Sequence, residues 1–125
     1  MLQLRAKSTK QIFLVGISAG AVGAAQLAGS LADKLDGLAL LFGSHPAARS
    51  LKPPILFIYG KSDERFPLRI LTWIAESTAK QNPRVTIEAV VGGHFFALQD
   101  SDQFSSRFGA WLTNESARTP HISVP

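Results

Sequence analysis

The stretch that most constrains this chain is Ile-Phe-Leu-Val-Gly-Ile-Ser-Ala-Gly, running from Ile12 to Gly20. Its first four residues, Ile12, Phe13, Leu14 and Val15, are apolar without alternation, which predicts a strand buried on both faces. They lead into Gly16-Ile17-Ser18-Ala19-Gly20, a G-x-S-x-G pattern, and a small-residue helical segment follows. Strand, turn and helix in that order are the context of a nucleophile elbow. The spacing has a steric reason. A serine on so tight a turn needs backbone room on both sides, and glycines two before and two after supply it by lacking a Cβ. The turn is expected to lift the Ser18 hydroxyl off the end of the sheet. It also aims the first amides of the next helix at whatever that hydroxyl attacks. The same pentapeptide fits a tight strand-to-helix turn with an inert serine, so the rest of the chain has to decide.

Composition narrows the chemistry. A chain of 125 residues suits one domain with a single core. We read it as 1–125, with a lead-in over 1–11, a core over 12–113 and a flexible tail over 114–125. The chain has no cysteine, which excludes a disulfide framework, a thiol nucleophile and a Cys-based zinc site. His45, His94 and His121 lack metal-ligand spacing, so no metal is expected. The 13 basic residues outnumber the acidic ones and give a net charge of +4, but they are scattered and form no run interleaved with aromatics. That pattern reads as a solvated surface and not as a nucleic-acid site. No apolar stretch approaches the ~20 residues of a membrane span. The first residues lack the apolar core of a secretory signal, so the expected compartment is the cytoplasm.

Along the chain, apolar runs alternate with helical or loop segments. The small residues from Ala19 to about Lys34 predict a helix lying close to a sheet, held by packing because Gly23 and Gly29 lower its intrinsic propensity. Leu38 to Phe42 and Ile55 to Tyr59 read as buried strands, each ended by a glycine. Leu68, Leu71, Ala75 and Thr78, with Ile70 and Ile74, form an apolar face at helical spacing behind Pro67, and Asn82-Pro83 ends that helix. Val85, Ile87 and Ala89 alternate with Thr86, Glu88 and Val90, as in an edge strand. Asp100 with Gln103 resembles a capping box, and Phe104, Phe108, Trp111 and Leu112 mark the inner face of a last helix. The rhythm predicts a three-layer α/β sandwich: a short, mostly parallel sheet of about four strands with helices on both faces.

In an open parallel sheet, functional groups gather beyond the carboxyl ends of the strands. Ser18, Ser44-His45, Asp63 and His94 all fall there. Ser18, Asp63 and His94 have the residue types and order of a nucleophile, an orienting acid and a base. They lie 45 and 31 residues apart, so only the fold can bring them together. Ser44 is a weaker nucleophile candidate, because no glycine stands two residues after it. His45 fits a pocket-lining role or, better, a loop histidine without catalytic duty. Phe42, Phe66, Phe95 and Phe96 fit either the wall of an acyl or aromatic pocket or the core.

Gly16 to Gly20, then Pro-Ile-Leu-Phe-Ile-Tyr-Gly-Lys-Ser-Asp ending at Asp63 with Pro67 beyond it, then Gly92-Gly93-His94, resemble the α/β-hydrolase superfamily. The nearest likeness is its dienelactone-hydrolase-like and small carboxylesterase branch. The resemblance runs from about Ile12 to Leu112 and covers the C-terminal half of the usual fold. It implies that Ser18 is the nucleophile, His94 the base and Asp63 the group that orients the imidazole. It makes the backbone N–H of Ala19 one oxyanion-hole donor. The implied reaction is hydrolysis of a small carboxylic ester through an acyl-serine, with no cofactor.

Members of that superfamily bring about four more strands before the nucleophile strand, and a loop after one of them gives the second oxyanion donor. Nothing before Ile12 supplies it here. A second reading is therefore a catalytically weak or inactive half-fold that serves as a binding or assembly module. The truncation would also leave Ile12, Phe13, Leu14 and Val15 at an open edge, apolar on both faces, which invites self-association through that strand.

Overall fold

Long connections between the apolar strands allow parallel pairing, which a short hairpin cannot provide. The computed structural model describes residues 10–118; residues 1–9 of the lead-in and 119–125 of the tail lie outside that range. Strands β1 (Phe13–Ile17), β2 (Gly37–Leu41), β3 (Ile55–Gly60) and β4 (Val85–Val90) form one sheet in the order β1-β2-β3-β4. All three pairings are parallel. Among the described residues four α-helices accompany them: α1 (Ala19–Leu31), α2 (Leu68–Gln81), α3 (Phe96–Gln99) and α4 (Ser101–Arg118).

The strand order decides which helix covers which face. A sheet that steps in one direction through right-handed crossovers puts every crossover on the same side. Helices α1 and α2 and the short 3₁₀ segment Pro46–Ser50 accordingly share one face. There Ala21, Ala24, Ala25 and Ala28 of α1 and Leu71, Ile74 and Ala75 of α2 pack on Leu38, Leu40, Ile55 and Phe57. The alanines of α1 let its backbone approach the sheet closely. The second face waits for the chain after β4. Phe96 of α3 and Trp111 of α4 cover Ala39, Leu41, Leu56, Ile58 and Val90, with Phe104 and Phe108 at the margin. Strands β2 and β3 are buried along their whole length, as their unbroken apolar runs require.

The three-layer α/β architecture is the one expected, with a sheet that is wholly parallel. Several details differ. Strand β1 continues through Ile17 and stands at the sheet edge, where Ile12, Val15 and Ile17 are 50%, 42% and 51% exposed. It is therefore not buried on both faces, because no strand lies beyond it among the described residues. Helix α1 stops at Leu31, and Ala32–Lys34 tighten into a 3₁₀ turn. Ile70 points outward from α2, while Leu71, Ile74, Ala75 and Thr78 face in. Helix α4 runs past Thr113 to Arg118 and buries Glu115, so residues 114–118 belong to the folded body and not to a tail. Asp100 does cap α4: its Oδ1 accepts the Gln103 backbone N–H at 3.1 Å. The Gln103 side chain returns to the Asp100 carboxylate and not to its backbone, so the box closes through the side chains.

Candidate active site

Ser18 alone makes the turn between β1 and α1. It sits at φ 59, a left-handed conformation that costs a non-glycine residue about 1–3 kcal/mol unless its surroundings hold it there. They do. Its N–H donates to Leu41 O at 2.8 Å, and its carbonyl accepts from Ala21 N at 2.9 Å. Gly16 is required: a Cβ there would overlap the Gly20 carbonyl and come within 2.7 Å of Ala21 Cα. Gly20 is not, since a Cβ there meets nothing within 4 Å. The two glycines of the pattern therefore do different jobs, contrary to the symmetric reading of the motif. A third glycine matters more than Gly20. At Gly43, just past β2, a Cβ would come 2.5 Å from the Ser18 carbonyl oxygen.

The other two candidates sit on loops that are stitched together. Gly60 ends β3 against the loop after β4, and a Cβ on it would collide with the carbonyls of Gly92 and Gly93. Lys61 N–H donates to Val90 O and Ser62 N–H to Gly92 O, each at 2.9 Å. The sequence marks Gly60 only as a strand end; that it also lets the two loops touch depends on Gly92 and Gly93, which the fold brings against it. Asp63 follows in a tight turn, its own N–H donating to Gly60 O.

With both loops fixed, the three side chains meet. Ser18 Oγ lies 2.7 Å from His94 Nε2, and His94 Nδ1 lies 2.8 Å from Asp63 Oδ2. The other carboxylate oxygen, Oδ1, accepts the backbone N–H groups of Arg65 at 2.7 Å and Phe66 at 2.9 Å. The His94 and Asp63 side chains are 6% and 0% exposed. Burial of Asp63 is the largest single influence and pushes its carboxyl upward. The N–H of Phe66, the His94 ring and the N–H of Arg65 together outweigh it, so the group titrates below the usual carboxylate range. An ionised Asp63 can only accept, so Nδ1 of His94 carries the proton and Nε2 presents its lone pair to the Ser18 hydroxyl. Ala19 opens α1, and its N–H has no acceptor within the helix.

A serine, a histidine and a carboxylate hydrogen-bonded in series beyond three parallel strands invite comparison with known proteins. The model of the dienelactone hydrolase family matches residues 1–119. The chain belongs to that family. Its fold is shared by the Pyrococcus furiosus esterase Pf2001, with a TM-score of 0.72 at 18% identity over 84% of this chain and 54% of that one. The chain thus spans about half the length of that esterase. It is also similar to the enol-lactonase of Burkholderia xenovorans, with a TM-score of 0.70 at 12% identity over 89% of this chain and 69% of that one. No curated protein matches. This family member thus shares the α/β-hydrolase fold of these structural neighbours and spans part of their length.

The remaining candidate residues separate. A cavity of about 390 Å³ lies beside His94, lined by Ser62, Glu64, Arg65, Gly93, Phe95 and Gln99 as well as His94 itself. Phe95 thus stands at a cavity wall. Phe66 is not among the lining residues; it stacks on the His94 ring instead, with centroids 5.7 Å apart and planes at 19°. Phe42 and Phe96 are core residues. His45 belongs to the α1 side of the sheet. Its Nδ1 accepts the Ala47 N–H at 3.0 Å to cap the 3₁₀ segment, and its Nε2 meets the Gln26 side chain at 3.4 Å. Its ring is engaged in capping and not in the cavity beside His94. Ser44 is buried, so its hydroxyl cannot serve as a nucleophile for an incoming molecule. Among the described residues no group of His, Asp or Glu forms a metal site, and no helix is long and apolar enough to cross a membrane.

Proposed function

We propose that this chain is a hydrolase that cleaves small carboxylic esters through an acyl-serine formed on Ser18. The observation that carries the reading is the unbroken relay from Ser18 Oγ through His94 to Asp63, at 2.7 and 2.8 Å. As Oγ attacks the ester carbonyl carbon, His94 Nε2 takes its proton and Asp63 holds the imidazolium in place. The Ala19 N–H donates to the oxyanion. Collapse of the intermediate expels the alcohol, which leaves with the proton from His94. A water molecule, deprotonated by the same nitrogen, then releases the acid and restores Ser18. A thioester or lactone carbonyl is a second substrate class that the same steps would accept. No cofactor enters the sequence of steps. The reading keeps the cytoplasmic setting expected from the sequence.

Reaction of the native chain with a fluorophosphonate probe tests it. Labelling that disappears in Ser18→Ala, together with p-nitrophenyl acetate hydrolysis lost in His94→Ala, is the expected result. His45→Ala should change turnover only mildly, since its ring caps the Pro46–Ser50 segment. A folded chain that takes no label would favour the binding or assembly module.

A further inference from the structure

We infer that Phe66 is a positioning residue for His94: its ring fixes the imidazole plane and favours the imidazolium formed when Ser18 gives up its proton. The inference rests on the proposed esterase reaction. Three observations carry it. The rings of Phe66 and His94 are stacked side by side in near-parallel planes, with centroids 5.7 Å apart and planes at 19°. Phe95 meets the same imidazole at 85° and 5.2 Å, closing a second direction of rotation. Asp63 builds both sides of the arrangement at once: Oδ2 holds Nδ1 of the imidazole, while Oδ1 holds the Phe66 backbone.

The electrostatics follow from ring charge. The face of a benzene ring is electron-rich, so it attracts a cation more than a neutral ring of the same shape. The transition state places positive charge on His94, when the serine proton has moved to Nε2. Phe66 therefore stabilises the transition state more than the ground state, which is the condition for raising kcat. Charged groups near His94 come from the loop that carries Phe66: Asp63 on Nδ1, with Glu64 and Arg65 on the wall of the adjoining cavity. The Arg65 guanidinium lies over Phe95, 5.1 Å from its centroid. The β1–α1 turn contributes the uncharged Ser18, and α3 the uncharged Gln99.

The test is a series at position 66. Phe66→Leu should lower kcat on p-nitrophenyl acetate about three- to tenfold, with KM unchanged because Phe66 does not line the cavity. Phe66→Trp should restore it. Site-specific mono-, di- and trifluorophenylalanine keep the shape while draining charge from the face, and kcat should fall stepwise along them. Equal kcat across the fluorinated series would overturn the inference. A second readout does not depend on activity. Phe66→Leu should lower the thermal midpoint more at pH 5 than at pH 9, and that difference should vanish in a His94→Gln background, where Asp63, Glu64 and Arg65 are unchanged. The same loss at both pH values would also overturn it. If the chain takes no fluorophosphonate label, the esterase reading falls while this comparison still tests the ring pair.

Discussion

Asp63 carries more of the site than its bond to His94. One oxygen orients the imidazole and the other ties down the Arg65 and Phe66 amides. Because the folded chain holds its carboxyl below the usual range, ionised Asp63 adds stability that is fully present above the unfolded value, about 3.9, and is lost as pH falls through the folded value. Thermal midpoints should therefore drop on acidification below about pH 4, and Asp63→Asn should flatten that limb while lowering the midpoint at pH 7. A limb as steep in Asp63→Asn as in the parent would assign it to other carboxylates. At this scale the sequence was informative wherever chemistry needs a particular residue type. Ser18, Asp63 and His94 each follow an apolar run, and the fold brings these three together. Gly43 was not legible, because its constraint comes from the Ser18 carbonyl, distant in sequence, and nothing local marks it. Gly43→Ala should slow fluorophosphonate labelling and lower stability together, since Cβ would press on the backbone of Ser18.

Elements obey their neighbours as well as their own pattern, and the two glycines of the elbow show it. Gly16 faces the backbone of the first turn of α1, whereas Gly20 faces open space within that turn. Gly20→Ala should leave labelling intact and stabilise the chain by about 0.5–1 kcal/mol through helix propensity. Gly16→Ala should destabilise it by about 1–3 kcal/mol, since backbone on the far side cannot move aside as a side chain would. Urea midpoints for the two variants check this, and equal costs would mean that the turn needs both glycines. Strand positions were readable because unbroken apolar runs have few alternatives in a soluble domain. Element ends were less so. Nothing local stops α1 at Leu31, and the polar run after Thr113 looked like a tail. Helix α4 continues there because Glu115, one turn past Trp111, lies on the same buried face. A half-buried helix needs only one such position per turn, too sparse a signal to extend by pattern alone.

The whole molecule is asymmetric across its sheet. On the β4 side the edge carries Thr86 and Glu88, and Glu88 is paired with Arg107 of α4. Charge of that kind discourages a further strand. On the β1 side the edge is apolar, with Ile12, Val15 and Ile17 each about half exposed, and its outer backbone groups face away from β2. The composition suits a strand with neighbours on both sides, which is why the sequence suggested burial that this edge does not have. The physical complement of such an edge is another strand, since only backbone can satisfy a row of N–H and C=O groups while covering apolar side chains. We expect two copies to pair through β1. Light scattering at micromolar concentration should then give twice the 13.5 kDa chain mass. Val15→Lys should return the monomer without loss of fold, because Val15 is exposed and a buried lysine at a paired edge would be costly. The outcome bears on the site as well: Ser18 lies directly after β1, so whatever pairs with this edge stands next to the nucleophile. If pairing supports the elbow, fluorophosphonate labelling should slow in Val15→Lys and recover as protein concentration rises. A parent chain that stays monomeric, and labels at a rate independent of concentration, would show that the elbow holds its shape with the edge unpaired.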